Sequence, residues 1–189
     1  MLLEIKWIGR GGQGVVLANQ VFATAMIREG KYGQAFPEFG PERSGAPVRG
    51  YTRVADSPIE DHSVIYDPDM IVVMDPRLSL DVESYSGLKE GGTAVINARE
   101  SRVEDLKKIV QLKGREAFYL DAWKISDSVF KTSRPIFNTP MIGALAKVLG
   151  APKLATLEEV IRDRFKGNIA EQNVSAIKHG FEEVKKLEF

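Results

Sequence analysis

Near the N-terminus, the run Gly9-Arg10-Gly11-Gly12-Gln13-Gly14 holds the spacing with the clearest capacity for chemistry. Glycines between a strand and a helix let the backbone take positive φ and approach a ligand closely, and the N–H groups and dipole at a helix start favour an anion. A phosphate-bearing ligand is the expectation. Gly9, Gly11 and Gly14 also satisfy G-x-G-x-x-G, so a dinucleotide site is a rival. Three features count against a nicotinamide site. Charges interrupt the preceding strand, no separate substrate domain follows, and the one candidate ribose partner, Glu38, lies beyond the second strand in a proline-rich loop. No Lys-Ser or Lys-Thr pair follows the glycines, which removes a Walker A reading. A tight turn that only lets strand and helix pack closely competes on even terms.

A second cluster runs from Phe36 to Arg53. Glu42, Arg43, Arg49 and Arg53 stand among Gly40, Gly45 and Gly50, beside Phe36 and Phe39. Arginine suits planar recognition of carboxylate or phosphate, and aromatic neighbours suit a protein interface or a stacked ring. A solvated loop in which Glu42 pairs with an arginine is the bland alternative, contributing about 0–1 kcal/mol. Two phenylalanines and three prolines between 36 and 47 make such a loop ill-suited to lie free in water.

Other residues carry less. Asp75 ends an apolar strand, where ligand crevices of open α/β sheets lie, but an acid before a proline is also an ordinary turn former, and the turn is the favoured reading. His62 and His179 are far apart and lack metal-ligand spacing, so both read as structural or surface residues. Ser44 lies outside any G-x-S-x-G elbow and has no histidine partner in the pattern, which argues against a hydrolase.

The elements that must position these residues follow from periodicity. Leu3, Ile5 and Trp7 alternate with Glu4 and Lys6 as in a half-buried strand, and from Val15 to about Arg28 apolar residues recur at helical spacing up to Gly30. Short strands are expected at Tyr32 to Phe36 and Val48 to Val54, the latter with Arg49 and Arg53 on one face. Met70 to Met74 is continuously apolar and reads as a central strand covered on both faces. Thr93 to Ile96 and Ala117 to Leu120 are further strands, with a helix from about Arg102 to Leu112 between them. The last quarter is helical. Asn138-Thr139-Pro140 starts one helix, which ends near Gly150, and capping boxes are expected at Thr156 with Glu159 and at Asn168 with Glu171. On the last helix Ala170, Val174, Ile177, Phe181 and Val184 form the inner stripe, with Glu182, Glu183, Lys185 and Lys186 opposite. This alternation favours an α/β layered domain, and the size of the chain favours one domain over residues 1–189.

Composition narrows the function classes. Lys plus Arg and Asp plus Glu are 26 each, so no strong overall field favours nucleic acid or an anionic membrane. The chain has no cysteine, which excludes disulfides, thiolate zinc sites, a Cys nucleophile and all-Cys iron–sulfur ligation. Glu4 and Lys6 interrupt the first apolar residues too early for a signal peptide, and no apolar run approaches the roughly 20 residues that span a bilayer. A cytoplasmic location is the default expectation.

Two long motifs in order are far more specific than either alone. Gly9 to Gly14, followed by Gln34-Ala35-Phe36-Pro37-Glu38-Phe39-Gly40-Pro41-Glu42-Arg43-Ser44-Gly45-Ala46-Pro47-Val48-Arg49, closely resembles the gamma subunit of 2-oxoacid:ferredoxin oxidoreductases. Asn138 to Ala146 and Glu171 to Ala176 also resemble that family's C-terminal pattern, so the likeness covers nearly the whole chain. Ser44 departs from the arginine expected after Arg43. The resemblance implies a three-layer α/β/α, Rossmann-like domain with a mixed central sheet, which joins alpha, beta and delta partners or corresponds to a segment of a single-chain homologue. The family enzyme decarboxylates a 2-oxoacid on thiamine diphosphate. That enzyme passes electrons through iron–sulfur clusters to ferredoxin and releases an acyl-CoA. It also implies that thiamine diphosphate and the clusters sit on partner chains, and that this chain lies on the coenzyme A side. The missing cysteines and the absence of a Gly-Asp-Gly thiamine motif agree. Ala46-Pro47-Val48 resembles the pyruvate and branched-chain type, so pyruvate is the first choice of oxoacid.

The site expected on this basis comprises Gly9, Gly11, Gly12, Gln13, Gly14, Arg43 and Arg49, with Arg53 as a further candidate for charge or partner contact. No catalytic residue and no metal ligand is assigned. The competing expectations are a free-standing NAD(P)-binding oxidoreductase and a scaffold whose glycine loop binds nothing. Apolar surface meant for partners would also let the isolated chain form a homodimer.

Overall fold

The computed structural model describes residues 1–38 and 46–189. Among the described residues, seven strands form one sheet in the order β2-β3-β1-β4-β5-β6-β7. They are β1 (Leu2–Arg10), β2 (Tyr32–Pro37), β3 (Pro47–Ala55), β4 (Met70–Val73), β5 (Thr93–Asn97), β6 (Glu116–Leu120) and β7 (Lys185–Lys186). β1, β4, β5 and β6 run parallel, while β2–β3, β3–β1 and β6–β7 pair antiparallel. The mixed sheet of the sequence reading is therefore present, and β4 is its middle strand. Met70 and Val72 enter one core, Ile71 and Val73 the other, as a strand covered on both faces requires.

The two faces are covered unequally. Ile5, Trp7 and Val54 pack under α1 (Val15–Arg28), together with the later helices α4 (Asn138–Leu149), α5 (Leu154–Arg164) and α6 (Gly167–Glu183). On α1 the expected stripe of Val15, Ala18, Val21, Phe22, Ala25 and Met26 is buried. The other face has only short coverage. Leu78, Tyr85, Leu88, Leu106, Ile109 and Leu112, from turns and single helical turns, close over Ile8, Ile71, Ile96 and Ala117. The label Rossmann-like is thus approximate, because the β1–α1 crossover leads into an antiparallel hairpin and one helical layer is thin.

Several expectations need correction. The stretch 102–112 is not one helix: it breaks into 3-10 turns at 100–102 and 110–112 around a single α turn, α2 (Val103–Leu106). A helix not foreseen, α3 (Ala122–Phe130), is capped by the Asp121 carboxylate, which accepts from Lys124 N–H at 3.0 Å. Neither expected capping box forms. α5 starts two residues before Thr156, whose hydroxyl donates to Glu29 Oε1 at 2.7 Å, and α6 starts at Gly167, before Asn168. α6 ends at Glu183, so Lys185 and Lys186 belong to β7 against β6 rather than to the helix surface. Lysines there keep that sheet edge from pairing with another chain.

α4 and α6 pack through glycines. A side chain on Gly143 would run into the Ile177 carbonyl, and one on Gly180 into the Pro140 carbonyl. The two helices that carry the C-terminal motifs therefore meet backbone to backbone, and Thr139 Oγ1 donates to Asn173 Oδ1 at 3.1 Å in the buried contact.

Candidate anion site at the carboxyl edge of the sheet

In open α/β sheets, ligands bind beyond the carboxyl ends of the strands, where neighbouring crossovers leave in opposite directions. Here that point lies between β1 and β4. From β1 the chain crosses by α1 toward β2 and β3, whereas β4 leads to β5 and β6 on the other side. The glycine run stands at this point. Gly9 is the penultimate residue of β1, and a Cβ there would come 2.7 Å from Val15 Cγ2, so strand and helix approach as closely as glycine permits. Gly12 (φ +83°) and Gly14 (φ +76°) take left-handed conformations, Gly14 as the residue just before α1. Among the described residues, nothing lies within 4 Å of where side chains on Gly11 or Gly12 would be, and both glycines are exposed.

Gln13 fixes this loop. Its Oε1 accepts from Arg10 N–H at 2.7 Å, and its Nε2 donates to Asp75 Oδ2 at 2.5 Å, across from the end of β1 to the end of β4. Asp75 also accepts from the Arg77 backbone N–H at 2.7 Å and pairs with the Arg10 and Arg77 guanidinium groups at 3.6 and 3.4 Å. Burial of this carboxyl, 1% exposed, opposes ionisation, but the donors from Gln13 and Arg77 outweigh it and hold its pKa below the usual value. Asp75 is therefore a buried anchor of the glycine loop as well as the turn former expected from the sequence.

The hairpin base joins the same edge. Arg10 stands opposite Pro47 and Gly9 opposite Val48 in the β1–β3 register, so the connection between β2 and β3 leaves the sheet beside the glycine loop. Phe39 to Gly45 of that connection, with Arg43, lie outside the described residues. Arg49, opposite Ile8, pairs with Glu38 at 3.0 Å on the face away from α1. That engagement occupies the one acid proposed as a ribose partner.

On this face Lys6 is almost fully buried and donates to the Ser86 carbonyl. Burial, and then the nearby Arg49 charge, push its pKa down to about 8. Burial and the Glu38 carboxylate push Tyr51 up to about 12. Arg53 belongs elsewhere. It is 1% exposed, pairs with Glu4 at 2.9 Å and lies against the Phe36 ring, near the opposite end of β1. It is a buried structural cation, so its candidacy for ligand or partner contact is withdrawn.

The motif that opens α4 reaches the same place. Asn138, at the start of α4, sits directly against Gly14, where any Cβ would meet its amide. Its Oδ1 accepts from Thr139 N–H at 2.9 Å. The structure thus gathers Gly9, Gly11, Gly12, Gln13, Gly14 and the base of the Arg49 hairpin, and adds Asp75, Arg77 and Asn138. Sequence reasoning left Asp75 as a turn and passed over Arg77, although the Asp-Pro pair closing the central strand was the available signal. His62 and His179 lie elsewhere, hydrogen-bonded to Gln34 and Glu183. Among the described residues no group of three potential metal ligands forms, and no helix is long and apolar enough to cross a membrane.

Comparison with known proteins agrees with this architecture. The chain is 43% identical over 180 residues to the pyruvate/ketoisovalerate oxidoreductases common subunit gamma of Thermococcus kodakarensis, covering 95% of this chain and 96% of that one. It is 41% identical over 185 residues to the NADH-dependent phenylglyoxylate dehydrogenase subunit gamma of Aromatoleum evansii, covering 97% and 94%. The crystal structure of pyruvate oxidoreductase subunit PORC from Thermotoga maritima superposes with a TM-score of 0.85 at 37% identity, covering 99% of each chain. The model of the pyruvate ferredoxin/flavodoxin oxidoreductase family matches residues 4–183, and with full-length relatives at this identity the chain belongs to that family.

Proposed function

We propose that this chain is the gamma subunit of a 2-oxoacid:ferredoxin oxidoreductase and forms part of the coenzyme A side of its active site. The observation that carries the reading is the glycine loop at the switch point between β1 and β4, tied down by Gln13 and Asp75 and flanked by the hairpin base. A helix start with exposed glycines suits a phosphate group of the coenzyme. The residues present fit that role, and without cysteine the chain cannot supply all-Cys ligation to an iron–sulfur cluster. Thiamine diphosphate and the iron–sulfur clusters belong to alpha, beta and delta partners in this reading, and ferredoxin accepts the electrons. The substrate thiol enters from this subunit's side.

Pyruvate is the first choice of oxoacid in this reading, and the relatives are named for pyruvate, ketoisovalerate and phenylglyoxylate enzymes. Such near-equal identities support an assignment of oxoacid choice to the partner chains. The test uses the assembled complex carrying Arg49→Ala or Arg43→Ala; Arg43 enters through the sequence alone. A raised KM for coenzyme A with slower acyl-CoA formation supports the reading. Unchanged values in both variants remove these arginines from the site. Reduction of a nicotinamide by the isolated chain at an enzymatic rate would replace the proposal with the free-standing dehydrogenase.

A further inference from the structure

The carboxyl edge of the sheet continues past the glycine loop to a partly exposed aromatic, Trp123. Trp123, in the first turn of α3 just after β6, is 42% exposed, whereas the chain's other tryptophan, Trp7, is fully buried. The Arg99 guanidinium, from the segment just after β5, lies over its indole at 5.1 Å from the ring centroid. Phe137 supports the indole from the protein side, with centroids 5.9 Å apart. Phe137 immediately precedes Asn138, the residue against Gly14. Glycine loop, α4 start, indole and guanidinium therefore form one continuous line.

β1, β4, β5 and β6 run parallel and adjacent, so the loops after them share one edge. From the β1 loop to the β6 loop is three strand steps, roughly 14 Å. The Arg77 side chain, 72% exposed, stands after β4 between the two ends. A small anion at the glycine loop would leave Trp123 and Arg99 unused. A ligand with phosphates at one end and a flat ring at the other would engage the whole line, because bases stack on indoles and on guanidinium planes.

We infer that Trp123 and Arg99 form a stacking platform for the adenine ring of a nucleotide whose phosphates lie at the glycine loop and Arg77. This rests on the coenzyme A reading above and deepens it, since that coenzyme joins an adenine nucleotide to the reacting thiol arm. Binding by this platform holds the non-reacting end of the substrate, so its loss weakens coenzyme binding and leaves the chemical step intact.

The test is steady-state kinetics of the assembled complex with Trp123→Ala, Trp123→Phe and Arg99→Ala. Trp123→Ala should raise KM for coenzyme A about tenfold, within the range of one base–aromatic stack. The expected kcat stays within twofold, KM for the 2-oxoacid does not move, and Trp123→Phe recovers most of the loss. A coenzyme A KM within twofold of the parent in both alanine variants overturns the platform. So does loss of a subunit from the purified complex, which would make Trp123 a partner contact, or a parallel rise in both KM values. Gly12→Val separates the two levels of the proposal. If it raises the coenzyme KM while Trp123→Ala does not, only the platform falls. If neither does, the coenzyme reading falls with it.

Discussion

Gln13 and Asp75 join the carboxyl ends of two parallel strands, Nε2 to Oδ2 at 2.5 Å, across the point where the chain's crossovers diverge. Together with the Gln13–Arg10 bonds and the Asn138 contact on Gly14, this bond holds the run of glycines in one loop shape.

Removing the charge should show how much of the loop's order depends on it. Asp75→Asn keeps the shape but replaces a charged acceptor of hydrogen bonds with a neutral amide, which should lower stability by about 2–3 kcal/mol at pH 7. The folded carboxyl has a depressed pKa, so its contribution is full above the unfolded value near 4 and is lost as pH falls through the lower folded one. Urea unfolding at pH 7 and pH 3 should therefore show a gap between parent and variant that narrows in acid. An equal gap at both values would place the effect in shape rather than charge.

The glycine loop should respond to alanine in a graded series. Gly11→Ala meets open space at an ordinary φ and should cost less than about 0.5 kcal/mol. Gly12→Ala meets open space at φ +83°, so only backbone strain of about 1–2 kcal/mol applies. Gly14→Ala adds a collision with buried Asn138 to the strain of φ +76° and should lose about 2–4 kcal/mol. Chemical denaturation of the three variants gives the order, and a Gly14→Ala variant as stable as Gly11→Ala would contradict the contact with α4.

Where α4 crosses α6, alanine has nowhere to go. Gly143→Ala and Gly180→Ala should each destabilise the fold by about 3 kcal/mol, because the added methyl meets a carbonyl of the facing helix rather than a side chain that can move. Thermal unfolding measures this directly.

Lys6 predicts an unusual alkaline profile. Its folded pKa of about 8 lies below the ordinary 10.5, so between these values the unfolded chain binds more protons and the folded state gains stability as pH rises. Lys6→Met removes that gain. The stability difference between parent and variant should shift in the parent's favour from pH 8 to pH 10.5, by a few kcal/mol at most at about 1.4 kcal/mol per unit of pKa. A flat difference would mean that Lys6 titrates as an exposed lysine.

Local pattern alone determined the parts whose physics is local. Alternation in Leu3, Ile5 and Trp7, the helical stripe from Val15 to Met26 and the apolar run from Met70 announced β1, α1 and the middle strand, because each repeats the geometry of its own backbone. The glycine spacing announced a strand-to-helix turn, and the absence of cysteine excluded thiolate chemistry before any fold was known. A short helix was harder: α3 has the cap Asp121 and the buried Ala122 and Ile125, but nine residues give periodicity little room and it was not foreseen. The capping box at Thr156 misled because Glu29 accepts both from that hydroxyl and from the Lys153 N–H ahead of α5, while α6 starts one residue before Asn168.

Only the tertiary structure decided which residues meet. Asp75 lies 62 positions from Gln13, and Asn138 lies farther still from Gly14, yet all four share one edge because β1 and β4 are parallel neighbours and the start of α4 packs against the residue before α1. The same packing withdrew Arg53 to the far end of β1 and set Trp123 beside Arg99. Sequence carries periodicity and composition. Proximity between distant residues comes from strand order and helix packing, which depend on the whole chain at once.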